Sequence, residues 1–211
     1  GLTNDSSFQE SDMATFNENG RFLVPVGFRS PSGWNSGFSV FLTAAWGAND
    51  TPFFIDPGST LGGFMLQSRG LPGIRSMTFL PRFEVNSVGD DASQEDVTRA
   101  QAIQKQIQFN TVTIGPDAPK SLEPASLIDR LISLKHQSVS LGWIFGPGSE
   151  GIANSLDTKL NAAKDSVSRG NNDAAKGQLG AFINEAEAQH GKHLNDNAFF
   201  LLKVNAEFIV S

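Results

Sequence analysis

Residue usage changes near residue 120, and the change divides the chain into two parts that favour different secondary structure. Residues 1–120 contain 8 of the 10 prolines and 12 of the 17 phenylalanines, whereas residues 121–211 contain 6 lysines against 2 in the first part. Proline, glycine and aromatic residues at short intervals favour strands and turns, whereas alanine, leucine and lysine favour helices. The sequence therefore predicts an α+β protein whose strands precede its helices.

Alternating apolar residues predict the strands of the first part. Every second residue from Phe38 to Trp46 is apolar, and Met77 and Phe79 continue the same alternation further along the chain. Strands that recur between glycine and proline turns are typical of antiparallel β-sandwiches. We therefore expect a sandwich of jelly-roll or immunoglobulin-like type over residues 20–118.

One stretch of the first part is compatible with either a helix or a strand. Ser93 followed by acidic residues is a typical helix start. Ile103, Ile107 and Phe109, however, also fit one face of a strand. We favour a short helix that runs into a strand.

Apolar residues in the second part recur every three or four positions, which predicts a small four-helix module over residues 125–211. A proline-rich stretch, residues 119–124, is expected to act as a stiff linker before it. The last helix is apolar nearly all round, which predicts burial on more than one side. The apolar positions are Leu127, Ile128, Leu131, Ile132 and Val139, then Leu156, Leu160, Ala163 and Val167, then Ala175, Leu179, Phe182, Ile183 and Ala186, and finally Phe199, Phe200, Leu202, Val204, Phe208 and Ile209.

Two of the three histidines, His190 and His193, follow acidic residues and raise the question of a metal site. Gly191 lies between them and is expected to adopt the left-handed conformation that ends a helix. Asn195 is a good N-cap for the next helix. We therefore interpret this stretch as the junction of two helices, because the break removes the spacing that would bring both imidazoles to one metal ion.

Several linked motifs occur in "GIANSLDTKLNAAKDSVSRGNNDAAKGQLGAFINEAEAQHGKHL" and in the following "AFFLLKVNAEFIVS". They include the turn "RGN..A" and the helix "L.AFINE.EAQ.GK". Over about residues 121–211 the chain resembles the FIMAH-type helical module of secreted or surface bacterial proteins. The resemblance implies a non-catalytic, extracellular module, and it assigns no functional residues.

Composition and charge exclude several classes of protein. The net charge is −6 and no basic cluster occurs, which argues against nucleic-acid binding. The chain contains no cysteine, which excludes disulfides, thiolate catalysis and cysteine-ligated metal sites. No apolar run approaches the length of a membrane-spanning helix.

The sequence offers no set of residues suited to catalysis. A Ser–His–Asp arrangement needs a histidine as base, but all three histidines lie on predicted helices or in a tight turn of the second part. The G-x-S-x-G motif of a nucleophile elbow is also absent. We therefore expect no enzymatic activity and no cofactor, with calcium as the one ion to consider.

Two kinds of ligand have candidate residues in the first part. Asp50 and Asp56 lie in one acidic loop, and Asp90 and Asp91 lie in another. Loops of this kind supply the oxygen ligands of calcium, although aspartate is also an ordinary turn residue. Trp34 lies in a turn-rich loop, where an indole either stacks on a sugar ring or closes one end of a sandwich.

Self-association has candidate residues at both ends of the chain. Residues 1–19 form either a flexible tail or a strand-exchange arm, with Phe8 and Phe16 as its apolar contacts. In the last helix, Phe200 and Phe208 are the corresponding candidates. The interpretation we favour is a non-catalytic, extracellular structural or adhesive surface protein that assembles with itself, as the subunit of a filament does. The alternative is a glycan- or calcium-binding module of a larger secreted protein.

Overall fold

The computed structural model describes residues 25–38, 44–56, 58–79, 93–107 and 109–211. The described residues fall into two compact units. The first contains Pro25–Gln67 and Arg75–Thr113, and the second contains Ser68–Ile74 and Ile114–Ser211. Phe8, Phe16, Asp90 and Asp91 lie outside the described residues.

Two short antiparallel pairs of strands form the first part of the chain. Strand β1 (Gly27–Arg29) pairs with β4 (Met65–Gln67), and β2 (Trp34–Phe38) pairs with β3 (Ala44–Ala48). The alternating stretch from Phe38 to Trp46 is therefore divided between two strands, and Phe38 and Ala44 face each other across the β2–β3 pair. A short 3₁₀ helix, Thr51–Phe53, follows β3.

Two longer strands form a third pair, β5 (Leu71–Phe79) with β6 (Phe109–Asp117). Near one end of the pair the Thr78 hydroxyl donates to Asn110 Oδ1 at 2.8 Å. Near the other end Gly73 lies so close to Asp117 that a Cβ at this position would be 2.7 Å from the Asp117 Cβ. Glycine is therefore required where the two strands approach each other.

The β-sandwich predicted for residues 20–118 is not confirmed, because each sheet among the described residues has two strands. Two-stranded sheets present two faces and two edges to their surroundings, whereas a sandwich buries one face of each sheet. The predicted helix that runs into a strand is confirmed. Helix α1 (Gln94–Ile107) precedes β6, and the Ser93 hydroxyl accepts from the Asp96 amide at 3.2 Å.

The four predicted helices are confirmed as α2 (Pro124–Ser140), α3 (Ser149–Ser168), α4 (Asn172–Gln189) and α5 (Asp196–Val210). Each packs mainly against two others, α2 and α4 both contacting α3 and α5, so that α3 and α5 are diagonal to each other. Asparagines begin the last two helices. Asn171 Oδ1 accepts from the Ala174 amide at 3.1 Å, and Asn195 Oδ1 accepts from the Ala198 amide at 3.0 Å.

Most of the apolar positions predicted from the sequence form the core of this module, as helical periodicity requires. The prediction is wrong for Val139, which lies near the C-terminal end of α2 and is 42% exposed. Every helix contributes side chains with no exposed surface, and the segment between α4 and α5 contributes one more. The large apolar ones are Ile128, Leu131, Leu156, Leu160, Phe182, Leu194, Leu201 and Leu202. In the described ranges, none of the helices combines the length and hydrophobicity that a membrane span needs.

Candidate interaction surface

The outer face of α5 carries three large apolar side chains that remain exposed. Phe200 is 51% exposed, Val204 38% and Phe208 42%. They are four residues apart along one helix, and residues at this spacing are neighbours on one face. The inner face of the same helix is buried, through Ala198, Leu201, Leu202, Asn205 and Ala206. We call the three exposed side chains the α5 stripe.

The α5 stripe shows that one sequence-based expectation is wrong, and it contains two residues that a second expectation named. The expectation that α5 is buried on more than one side is wrong, since Phe200, Val204 and Phe208 lie at the surface. The apolar residues of α5 do extend nearly all round the helix, but the neighbouring helices α2 and α4 cover only its inner side. The structure thus places both predicted assembly residues of this helix, Phe200 and Phe208, on one exposed face.

A charged group borders the α5 stripe on the side of α4. The Lys203 ammonium pairs with the Glu207 carboxylate one turn further along α5, and it lies 3.4 Å from Glu187 Oε1 on α4. The Glu207 carboxylate raises the pKa of Lys203 most, and Glu187 adds a smaller contribution, while desolvation partly opposes both. Sequence reasoning missed this group, although a lysine four residues before a glutamate is a recognised helical pair.

The two histidines in the junction between α4 and α5 contact different partners. His190 Nε2 lies 2.8 Å from Asp196 Oδ1, and the His190 ring stacks on Phe199 with a centroid distance of 3.9 Å. His193 Nδ1 lies 3.1 Å from the Phe145 carbonyl. Gly191 between them has a φ of 74°, the left-handed conformation predicted for it. The junction therefore orders the start of α5.

The His190 ring also connects this junction to the α5 stripe. Phe199 packs against Phe200 at a centroid distance of 5.1 Å, and His190 reaches Phe200 edge-on at 6.2 Å. Aromatic rings in contact at such distances restrict each other's rotation and gain about 0.5–1.5 kcal/mol per pair beyond area burial. The first side chain of the stripe is thus held in place rather than free to fold back.

A polar cluster ties α2 and α5 to the ends of β5 and β6 within the second unit. The Arg130 guanidinium donates to Asp117 Oδ2 at 2.8 Å and to the Pro72 carbonyl at 3.0 Å, and it also donates to Asn205 Oδ1. The buried Asn205 amide in turn donates to the Pro72 carbonyl at 2.9 Å. We call these four residues the Arg130 cluster. Its partners are far apart in the sequence, so no local signal could have predicted it.

A buried lysine joins α2 to α3. Lys135 is 2% exposed, and its ammonium donates to Asp157 Oδ2 at 2.6 Å. The exposed His136 ring lies beside the same carboxylate, with Nε2 3.3 Å from Oδ2. A buried ammonium without a partner is costly, so this pair specifies how α2 lies on α3.

Three of the residues predicted to bind calcium or a glycan lie within the described part of the chain, and each contacts another group of the protein. Asp50 Oδ1 caps the 3₁₀ helix by accepting from the Thr51 amide at 2.7 Å. The Asp56 carbonyl accepts from the Ser59 amide at 2.9 Å in a turn. The Trp34 indole donates to the Phe53 carbonyl at 3.1 Å and packs edge-on against Phe64. Calcium binding and glycan binding at these residues stay predictions.

Metal ligands do not gather elsewhere in the part of the chain that the structure describes. No group of three or more histidine, aspartate or glutamate side chains is placed there to hold a metal ion. The two histidines of the α4–α5 junction, in particular, make separate contacts.

Taken together, these contacts define a small four-helix module whose buried polar groups tie its helices together and whose last helix presents an apolar face. The FIMAH domain family model matches residues 148–211 of this module. The match extends over α3, α4 and α5, and it confirms the resemblance recognised in the sequence motifs of the C-terminal part. The preceding helix α2 lies outside the matched residues.

Neither the curated proteins nor the solved structures contain a significant match to the chain. The family match is therefore what connects the chain to known proteins. At a coarse level it indicates a bacterial protein associated with the cell surface.

Proposed function

We propose that this chain is a non-catalytic, extracellular structural or adhesive protein of the bacterial surface that associates with further copies of itself. The FIMAH match supports the surface association. The observation that carries the proposal of self-association is the α5 stripe, because its side chains share one exposed face of α5. Apolar side chains grouped on such a face mark interaction sites more often than scattered ones do.

The polar groups of the helical module support a structural role. Its buried lysine, Lys135, binds Asp157 on the next helix, and Arg130 binds Asp117 and the Pro72 carbonyl. Lys159 on α3 pairs with Glu185 on α4 at 2.8 Å. These charges hold helices together, whereas a catalytic site needs charged groups directed at a substrate.

The size of the α5 stripe sets the expected strength of association. A phenylalanine side chain buries about 150–250 Å² when covered, so three half-exposed side chains offer roughly 200–300 Å² per copy. Two copies would thus bury about 400–600 Å² in total, well below the roughly 1,200 Å² total of a standard stable interface. We therefore expect weak association of an isolated pair, which becomes effective when many copies are held on one surface.

Sedimentation velocity of the purified protein tests self-association. Because the contact is small, we expect reversible association that appears only at tens to hundreds of micromolar, on the order of weak interfaces. A sedimentation coefficient that stays at the monomer value up to about 500 µM would contradict self-association. Negative-stain microscopy of the same samples separates closed dimers from filaments, since filaments require a second, non-equivalent contact.

Location at the cell surface has its own test. Antibodies raised against the purified helical module should label intact cells of the source bacterium, and mild protease treatment of those cells should remove the label. Labelling that appears only after the cells are opened would contradict the proposed location, whatever the outcome of the sedimentation experiment.

A further inference from the structure

The buried contact between Lys135 and Asp157 brings an amine of α2 against a carboxyl group of α3. We propose that these two side chains condense to an amide, with loss of one water molecule, and so join the two helices covalently. The reaction is a modification of the chain by its own residues. It is independent of self-association, because both residues belong to one helical module.

Burial and distance prepare the two groups for reaction. Lys135 is 2% exposed, and its Nζ lies 2.6 Å from Asp157 Oδ2. Reactants that a fold holds in contact and in good orientation react as if present at about 10⁵–10⁸ M, which favours a condensation that is rare between groups free in water. Burial also keeps bulk water from the lysine end of the contact, and water is the reagent that would reverse the reaction.

The second carboxylate oxygen of Asp157 has a position that a simple ion pair does not explain. Asp157 Oδ1 is buried, and no donor in the described part of the chain is aligned to hydrogen-bond with it. A buried polar atom without a partner is costly and needs a physical reason. His136 Nε2 lies 3.2 Å from Oδ1 and 3.3 Å from Oδ2, so a small rotation of the imidazole directs an Nε2 hydrogen at Oδ1.

The condensation balances within these three side chains. The Lys135 ammonium passes one proton to Asp157 Oδ2 across the contact, which converts two buried charges into a neutral amine and a neutral acid. Nζ then bonds to Cγ, and negative charge develops on Oδ1, where the His136 N–H stabilises it as an oxyanion-hole donor does. The Cγ–Oδ2 bond breaks, and Oδ2 leaves as water with a second proton from Nζ. Nothing is oxidised or reduced.

A covalent link at this place supports the structural role proposed for the chain. The chain contains no cysteine and therefore no disulfide. An amide between two residues 22 positions apart closes a loop and restricts the unfolded chain, as a disulfide of the same span does. It also holds α2, which lies outside the residues matched by the family model, on the α3 helix that the model includes.

The mass of the intact, denatured full chain tests the proposal directly. We expect it to be lower than the mass calculated from the sequence by one water molecule. Trypsin should not cleave after Lys135, because the amine is blocked, and digestion should give one branched peptide that contains segments of α2 and α3. A mass equal to that of the sequence, unchanged after the folded protein has been kept for several days, would overturn the proposal and leave the contact as an ion pair.

A second ion pair between the same two helices is the matched control within the molecule. Lys164 Nζ on α3 lies 2.6 Å from Asp129 Oδ1 on α2, but these side chains are 44% and 53% exposed. Water solvates both charges of such a pair. We therefore expect trypsin to cleave after Lys164 as usual. A branched peptide that joins Lys164 to Asp129 would show that contact suffices, and it would contradict the role assigned to burial.

Two substitutions test the reacting carboxyl group and its donor. Asp157→Ala should have the mass of its own sequence, and a loss of water that persists in this variant would place the modification elsewhere and overturn the proposal. His136→Ala changes an exposed side chain and should slow bond formation at least about tenfold, because the oxyanion loses its donor. The rate is followed by intact mass at intervals after cell-free synthesis. An unchanged rate would show that His136 takes no part in the reaction.

Discussion

The helical module and the paired strands of the first part use aromatic and aliphatic side chains in different ways. In the module Phe182 and Leu156 have no exposed surface, because each packs among neighbouring helices. In and beside the strands, Trp34, Phe64 and Trp46 form an edge-to-face series and remain partly exposed. Two neighbouring helices can cover the inner face of an amphipathic helix, whereas a two-stranded sheet cannot cover its own faces. The same apolar residue should therefore contribute more stability in the module than in the strands.

Truncation of a core phenylalanine should show this difference most strongly. Phe182→Ala removes a fully buried ring from α4 and should lower the free energy of unfolding by about 3–5 kcal/mol. Phe109→Ala removes a ring that is 60% exposed and stacks on Phe79 at 5.9 Å, so we expect about 1 kcal/mol or less. Urea unfolding followed by circular dichroism at 222 nm measures both.

Phe208→Ala is the matched control within the module, because it makes the same truncation on the α5 stripe, where the ring is 42% exposed. It should lower the free energy of unfolding of the monomer by about 1–2 kcal/mol, clearly less than Phe182→Ala, because only part of the ring is buried. A loss as large as that of Phe182→Ala would mean that the outer face of α5 supports the monomer, and it would weaken the case for the stripe as a contact surface.

The Arg130 cluster should have the next largest effect, because it connects the helices to strand residues of the same unit. Arg130→Met keeps much of the side-chain volume but removes the donors to Asp117, Asn205 and the Pro72 carbonyl. Loss of charged hydrogen bonds at a largely buried position should cost about 2–3 kcal/mol in unfolding free energy.

The exposed Arg169, at the C-terminal end of α3, provides the control for the Arg130 substitution. Arg169→Met changes the net charge by the same amount, and a surface substitution of this kind usually changes stability by less than about 0.5 kcal/mol. If the two variants unfold at the same urea concentration, the Arg130 cluster does not stabilise the module.

The sequence predicted the helical module far better than the strands, and the reason is the range of the interactions that define each. The stripe from Ala175 to Ala186 and the caps at Asn171 and Asn195 depend on residues three or four positions apart, so both can be recognised along the chain. The alternation from Phe38 to Trp46 identifies apolar positions, but it does not reveal where the chain turns.

The candidate site was predictable only in part for the same reason. Phe200 and Phe208 were recognised as assembly residues because they are large and apolar, but the exposure of one face of α5 depends on where α2 and α4 pack. Arg130 and Asn205 are 75 positions apart in the sequence, so their contact follows from the fold alone. Periodicity identifies which residues a helix can bury, and tertiary packing decides which of them it does bury.

The Lys203 group should give the smallest effect, since its charges lie at the edge of the α5 stripe. The Glu207 carboxylate is the main cause of the raised pKa of Lys203, and Glu187 contributes less. A lysine whose pKa is raised in the folded state stabilises that state fully below its unfolded pKa of about 10.5, and this contribution disappears as the pH rises through the folded pKa. We therefore expect a small stabilisation relative to Lys203→Met at neutral pH, and none once Lys203 has lost its proton.

An NMR titration of the Lys203 side chain, at concentrations below those at which the protein associates, measures this pKa directly. Glu207→Gln should lower the pKa more than Glu187→Gln does, because the larger of the two favourable interactions is lost. The opposite order would show that Lys203 turns mainly toward α4.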